Sequence, residues 1–362
     1  LNSVYKLSNS VGIERSQIQR GRSIAPWIWT LSLLLLTLLL NAGIGPVPIP
    51  LRDLVRMLLS RLWWLEIDPT WSQKFETILF QIRLPNAALI AITGMALGGS
   101  GAAYQGLFRN PLADPYIIGV ASGAGLGAVL AMSVNWPTNI MGMATVPVAA
   151  FAGALITVGL VYAIARVGRT TPVTTLILAG VAVSSFATAM TSMIMLLSTE
   201  ELHRAVSWMV GGFALGGWEP VIAAAPYLLV GLVALAFLGR PLNVLQFGDE
   251  QARQLGLNVE RAKIVIVIMA SLVAATAVSF SGIIAFVGLI VPHIIRLIWG
   301  PDHRKLIPLA ILVGGSFLLS ADIIARTLLA PRELPVGVIT SVVGAPFFLW
   351  LLHQAKAKVR FW

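Results

Sequence analysis

The sequence predicts an all-α integral membrane protein of about ten transmembrane helices. Three observations carry that expectation. The chain is 57% hydrophobic and only 11% charged. Its mean hydropathy is +0.86 over 362 residues. Apolar runs of bilayer length recur from one end to the other. A water-soluble globule carries about 25% charged residues, so the bilayer is the solvent here. The chain has no cysteine, which excludes disulfides, thiolate metal sites and thiol catalysis. The net charge of +10 comes from 25 cations and 15 anions. In a membrane chain it reads as loop charge that sets orientation, not as a nucleic-acid footprint.

A span needs about 20 mostly apolar residues. Candidates lie at 27–44, 82–106, 115–133, 140–165, 174–198, 220–239, 263–280, 283–299, 306–325 and 337–354. The third and eighth are the least sharply defined, and several are interrupted by Gly or Pro. The first could be mistaken for a cleaved leader, because Asn41-Ala-Gly follows its apolar core as a small-residue site. Removing it would put the basic C-terminal tail on the wrong side, so it is expected to be retained. No fixed-period internal repeat is visible.

Charge then sets the topology. With the N-terminus inside, the inner segments carry Lys6, Arg15, Arg20, Arg22, Arg109, Arg166, Arg169, Arg240, Arg253, Arg261, Lys263, Arg296, Arg304, Lys305, Lys356, Lys358 and Arg360, or 17 of the 25 cations. The remaining eight mostly share their segments with acids such as Asp53, Glu66, Asp68, Glu76, Glu201 and Glu333. By the positive-inside rule both termini face the cytoplasm and the number of spans is even. The organisation expected is an N-terminal cytoplasmic segment 1–26, a transmembrane domain 27–354 and a cytoplasmic tail 355–362.

Glycine is expected to supply the packing. Gly94-Met-Ala-Leu-Gly98 and Gly119, Gly123 and Gly127 put small residues four apart on one helix face, where backbones can approach closely.

Between two long apolar runs sits one charged, helix-prone island, residues 248–263, which is expected to be held out to a soluble partner. Asp249 and Glu250 stand where acids favour a helix dipole and can cap it. Arg253, Gln254 and Leu255 come next, and Gly256, before Leu257, stops that helix. Asn258 can then cap a second short helix holding Glu260 and Arg261. Two short helices at an angle form a knuckle suited to a groove in another protein. The blander reading is a solvated loop.

Other polar features each admit a functional and a structural reading. In Arg109-Asn110-Pro111-Leu-Ala-Asp114-Pro115 the prolines forbid continuous helix and mark a rigid inner elbow, or simply a connector with one topogenic arginine. Arg83 and Arg326 sit at outer span edges, either as snorkelling or paired cations or as a basic rim for an acidic partner. Asp322 lies four residues before Arg326 and can pair with it. His293 and His303, the latter placed in a polar loop, lack a second ligand at helical spacing, so no metal site is expected. The chain has no phosphate-binding Gly-x-x-x-x-Gly-Lys-Ser/Thr loop and no Ser-His-Asp set. Any ATP used must be hydrolysed elsewhere.

Several segments together resemble a known family: Gln81-Ile-Arg-Leu-Pro85, Gly106-Leu-Phe-Arg-Asn-Pro-Leu-Ala-Asp-Pro115, Ser207-Trp-Met-Val-Gly-Gly212, Gly248-Asp-Glu-Gln-Ala-Arg-Gln-Leu-Gly-Leu257, Ser281-Gly-Ile-Ile-Ala-Phe-Val-Gly-Leu-Ile-Val-Pro-His-Ile-Ile-Arg296 and Glu333-Leu-Pro-Val-Gly337. They occur in the order found in permeases of ABC importers for iron-siderophores, haem and vitamin B12. The resemblance implies the type II ABC importer permease fold, with ten helices per subunit. It also implies pairing with a second permease subunit, two cytoplasmic ATPase subunits that hold the ATP and Mg, and an extracytoplasmic substrate-binding protein. The chain itself would bind no cofactor and catalyse no reaction, and it would sit in a bacterial inner membrane.

The resemblance assigns roles residue by residue. The island looks like the family's coupling helices, with Arg109, Asn110 and Pro111 in the inner loop beside them. Arg83 and Arg326 match arginines that face acids of the binding protein, although Asn86 stands where the vitamin B12 member has a second arginine. Thr174 and Thr175 fall near the inner gate, on the helix that lines the pathway. A ferric siderophore-type chelate is the expected cargo, with vitamin B12 or haem as alternatives. An ion-coupled secondary transporter and an integral-membrane transferase, for which no carboxylate cluster or metal motif is seen, are the rivals from other classes, and ATPase co-purification separates both from the importer.

Overall fold

The computed structural model describes residues 24–61, 64–65, 67–134, 139–140, 143–197, 202–212 and 216–359. The basic N-terminal stretch with Lys6, Arg15, Arg20 and Arg22, together with Glu66, Glu201 and Arg360, lies outside the described residues.

The described chain is almost wholly helical. Seven of its helices are long and apolar enough to cross a membrane. They are α1 (Ala25–Gly43), a continuous element Gln73–Phe108, α6 (Thr145–Ala165), α7 (Val173–Leu197), α9 (Glu219–Phe237), α12 (Val259–Ser281) and α14 (His303–Thr327). Three shorter apolar helices complete the pattern: α5 (Val120–Ser133), α13 (Val287–Trp299) and the Val336–Leu351 part of α15 (Val336–Val359); a short helix, α8 (Leu202–Met209), lies between α7 and α9 in the chain. Seven and three make the expected ten. The third and eighth candidates are short because glycine delays their starts. Gly119, at φ +90°, precedes α5, and Gly282, at φ +70°, ends α12 before the extended run into α13.

Two small amphipathic helices, α2 (Leu51–Leu59) and α3 (Gln73–Thr77), fold over one end of the bundle. There Leu54, Met57 and Leu79 form a satellite core. The element Gln73–Phe108 contains a wide π-turn, Ile78–Arg83, before α4 (Leu84–Phe108). Pro85 lacks an N–H to continue an α-ladder, and the wide turn absorbs that defect. At the same end a two-residue hairpin pairs β1 (Asn139–Ile140) with β2 (Met143–Ala144).

The centre of the bundle is the seam between α4 and α14. A Cβ on Gly94 would collide with the Gly314 carbonyl, one on Gly98 with that of Ala310, and one on Gly101 with that of Gly288 in α13. Helices α5 and α6 meet in the same way, through Gly123 against Gly153 and Gly127 against Ala149. Between helices in lipid, attraction comes from close packing of this kind and not from expelled water. The expected small-residue faces are therefore the packing faces. Helix α1 joins the seam along Thr30, Leu34, Thr37 and Asn41, spaced four, three and four apart on one face.

Candidate functional site

The charged island lies at one end of the bundle, called here the knuckle end. It starts with α10 (Gly239–Leu245). Asn243 anchors this helix to the start of α14, accepting from the His303 amide at 2.9 Å and donating to Asp302 at 2.6 Å. Asp302 caps α14 through the Arg304 amide. The Arg304 side chain, bonded to its carboxylate, lowers that carboxyl to about 2. His303 is consequently the first residue of a helix and buried, not part of a polar loop as its neighbours suggested. The sequence shows Gly-Pro-Asp before it but not Asn243, the group that draws it inward.

The chain then turns at Gly248, φ +100°, into α11 (Asp249–Gln254). Neither acid of its first turn caps it, because Gly248 occupies the N-cap and Asp249 reaches across to Lys263 instead. Gly256, φ +84°, ends the helix. There the Leu257 amide bonds the Ala252 carbonyl at 3.0 Å and the Gly256 amide that of Arg253 at 2.9 Å, a left-handed C-terminal closure. Asn258 does cap the next helix, its Oδ1 accepting from the Arg261 amide at 3.1 Å. That helix is not short, however: it is α12, which runs 23 residues into the bundle. The knuckle therefore consists of α10, α11 and the first turns of a span. Its apolar underside, Leu242, Leu245 and Ala252, is buried. Its outer face offers Glu250, Arg253, Gln254 and Leu255, with Leu255 67% exposed.

The inner elbow lies directly beside it. Arg109 ends α4 in the left-handed region, φ 50°, and its guanidinium faces Gly248. Gln246 bonds the Gly106 carbonyl at 2.8 Å. Asn110 and Asp114 close Asx turns onto the Leu112 and Tyr116 amides. Arg109, Asn110 and Pro111 are exposed, so the two segments form one continuous surface.

Thr174 and Thr175 begin α7 at the same end. Thr174 is exposed, whereas the Thr175 hydroxyl is committed to the Ala165 and Pro172 carbonyls at 2.8 and 2.9 Å. Further along α7 an open groove of about 640 Å³ is lined by Tyr116, Ile117, Val181, Ser184, Ser185, Thr188, Ala189 and Ser192. Ser184, Thr188 and Ser192 stand four apart, one stripe of hydroxyls on an otherwise apolar helix. That spacing was available in the sequence, but small hydroxyl residues are common in packed spans and gave no distinct signal.

Arg83 and Arg326 meet at the far end of the bundle. Arg83 is buried and donates to the Ala42 carbonyl at 3.0 Å, to Gly43 at 2.8 Å and also to Val47. Arg326 pairs with Asp322 at 2.7 Å and donates to the Asn41 carbonyl at 3.1 Å. Asn41 in turn donates to Asp322 at 2.9 Å. The structure thus brings the two arginines together but turns both inward, where they terminate α1. Loop carbonyls and a carboxylate satisfy them, the paired arrangement that was one of the two readings open from sequence.

The sequence compares closely with known transporters. The model of the FecCD transport family matches residues 33–354. An uncharacterized ABC transporter permease of Bacillus subtilis, YvrB, is 45% identical over 77% of this chain and 79% of its own length. The cobalamin import permease BtuC of Halobacterium salinarum is 47% identical over 78% and 75%. The hemin transport permease HmuU of Yersinia pestis is 39% identical over 78% and 84%. A solved structure described as an inward-facing metal-chelate type ABC transporter superposes with a TM-score of 0.78 at 29% identity, covering 90% of this chain and 98% of the other.

Proposed function

This chain belongs to the FecCD transport family, and on that premise we propose that it is the permease subunit carrying a ferric siderophore-type chelate inward across a bacterial cytoplasmic membrane. The observation that supports this reading best is the junction of an exposed knuckle, a hydroxyl-striped groove and the α7 helix between them. The knuckle, with Glu250, Arg253, Gln254, Leu255 and the adjoining Arg109 elbow, docks a cytoplasmic ATPase, and a second permease copy or paralogue brings a second one. ATP and Mg reside on those ATPase subunits and not on this chain. The basic loops beside the knuckle support a cytoplasmic location for it and for both termini.

The groove on α7 forms one wall of the translocation path against the second permease. Hydroxyls of Ser184, Ser185, Thr188 and Ser192 offer neutral donors and acceptors that suit the amide and carbonyl rim of a chelate, whereas that of Tyr116 is already donated to the Ile284 carbonyl at 2.9 Å. Weak contacts of this kind let cargo enter and leave. Thr174 stands at the inner end of the same wall. A substrate-binding protein delivers cargo at the far end. Docking there through Arg83 and Arg326 requires acidic groups of that protein to replace Asp322 and the Asn41, Ala42 and Gly43 carbonyls.

A corrinoid cargo is a second reading, favoured by the 47% identity to a cobalamin permease. The deciding experiment is reconstitution with the ATPase and binding protein, followed by uptake of a labelled ferric hydroxamate in competition with hemin and cobalamin. Uptake displaced only by ferric chelates supports the siderophore reading; displacement by cobalamin alone replaces it with the corrinoid. Purification without any ATPase subunit would overturn the importer assembly.

A further inference from the structure

A buried polar cluster under the knuckle is centred on Lys263. This lysine is 4% exposed although it sits on the second turn of α12. Its ammonium bonds the Asp249 carboxylate of α11 at 2.5 Å and the Thr171 carbonyl at 3.1 Å, with Glu260 at 3.9 Å. Glu260 completes the grip, accepting from the Thr171 amide at 3.0 Å and from Arg253 at 3.3 Å. Both backbone groups of Thr171 are thereby held by side chains of α12.

The held segment is itself stiff. Val167 and Thr170 exchange two backbone hydrogen bonds, at 2.9 and 3.1 Å, to form a tight turn. The Thr171 hydroxyl donates to Tyr162 at 3.1 Å, and Pro172 restricts Thr171 to extended backbone. Immediately beyond lies α7, whose first turn is closed by Thr175 on Ala165 and Pro172. If Asp249 moves away, the buried ammonium is left with only the longer Glu260 contact at 3.9 Å as a charge partner, a costly change in a buried site, so the three elements it joins resist being pulled apart.

We infer that Lys263 is a positioning residue that makes the knuckle and the inner end of α7 move as one body, so that displacement of α11 is delivered to Thr171 and from there to the wall of the path. This rests on the reading of the knuckle as the ATPase docking site. Arg253 connects the exposed face to the same cluster through Glu260. The coupling runs sideways through charge and not up the long axis of α12.

The test is hydrogen–deuterium exchange on the reconstituted permease with its ATPase subunits, with and without a non-hydrolysable ATP analogue, together with transport per ATP hydrolysed. The double variant Lys263→Met with Asp249→Asn removes the charge pair without stranding either partner. In the wild type, nucleotide should change exchange in peptides covering 249–257 and 166–175 together. In the double variant the 249–257 response should persist and the 166–175 response disappear, with transport per ATP down about five- to tenfold. Lys263→Arg should restore both.

A 166–175 response equal to wild type in the double variant overturns the role of Lys263 and leaves the docking site standing. Absence of any 249–257 response in the wild type overturns the docking site, and the inference falls with it. Glu260→Gln keeps the acceptor for Thr171 and removes only the Glu260 charge, so it serves as a control that spares the Lys263–Asp249 pair. Because the Lys263 bonds to Asp249 and Thr171 remain in that variant, its 166–175 response should stay close to wild type, and complete loss of that response there would move the role from Lys263 to Glu260.

Discussion

Helices α4 and α7 are each 25 residues long and similarly apolar, yet they are treated oppositely by the fold. Helix α4 is buried nearly all round from Pro85 to Phe108, with glycines pressed onto carbonyls of α13 and α14. Helix α7 buries only Leu176, Ala179, Gly180, Ala187 and Thr191. Leu178, Phe186 and Leu196 stand 71%, 64% and 82% exposed, and a stripe of hydroxyls stands beside them. Close packing of backbones creates an element that has one arrangement. A span held along one narrow face, with polar groups that lipid does not reward, fits the proposed place between a second permease and the passing cargo. Under the proposed function, α4 and α14 are the frame and α7 the moving wall.

The most severe way to probe that contrast is to add bulk to both helices. Gly101→Leu should abolish assembly, because its Cβ alone already overlaps the Gly288 backbone and neither chain can yield. Ala189→Leu in the α7 groove should leave a monodisperse protein, visible by fluorescence-detected size exclusion. Equal tolerance at both sites would erase the distinction.

Next in size is the knuckle. Leu255→Asp should reduce transport about tenfold or more by removing an exposed apolar anchor, with membrane insertion and thermal stability unchanged. Co-purification of the ATPase reads this directly, and full retention of the partner would remove Leu255 from the docking face.

A smaller effect is expected inside the groove. Thr188→Leu removes one hydroxyl from an exposed position, so stability should stay within about 0.5 kcal/mol while uptake falls a few-fold. A stability loss without any change in uptake would make the groove a packing surface.

The smallest effect concerns whether charge contributes to the frame at all. Asp302 caps α14, and its carboxyl is lowered to about 2, chiefly by Arg304. Its contribution is present above its unfolded value near 4 and is lost as pH falls through about 2. Because the pair is largely exposed, the loss should be below about 1 kcal/mol, and Asp302→Asn, which preserves the cap, should change thermal stability very little at pH 7. A larger drop would show that the seam leans on this end charge and not on its glycines.

Much of this architecture was legible from residue order. Span positions follow from hydropathy, and the helix stop at Gly256 and the cap at Asn258 from local chemistry. What escaped were the partners. Lys263 reads as one more inner cation, because Thr171, the carbonyl it binds, lies 92 positions earlier. Arg83 reads as a rim charge because the carbonyls it closes belong to another span, 40 and 41 positions away. His303 reads as loop because Asn243 is 60 positions back. Periodicity reports which face of a helix is apolar; it says nothing of which distant backbone group an isolated charge will meet.

The far-end latch has a consequence for how the protein is made. Asn41 finds Asp322 only across 281 positions and Arg326 across 285. At about 5–20 residues per second, the first span waits roughly 15–60 s on the ribosome before its last partner is synthesised. Until then its terminal carbonyls have only Arg83 to hold them. The Asn41 end of the first helix is therefore among the last places to set, and nascent chains arrested short of residue 322 should leave Asn41 open to chemical labelling that the finished protein excludes.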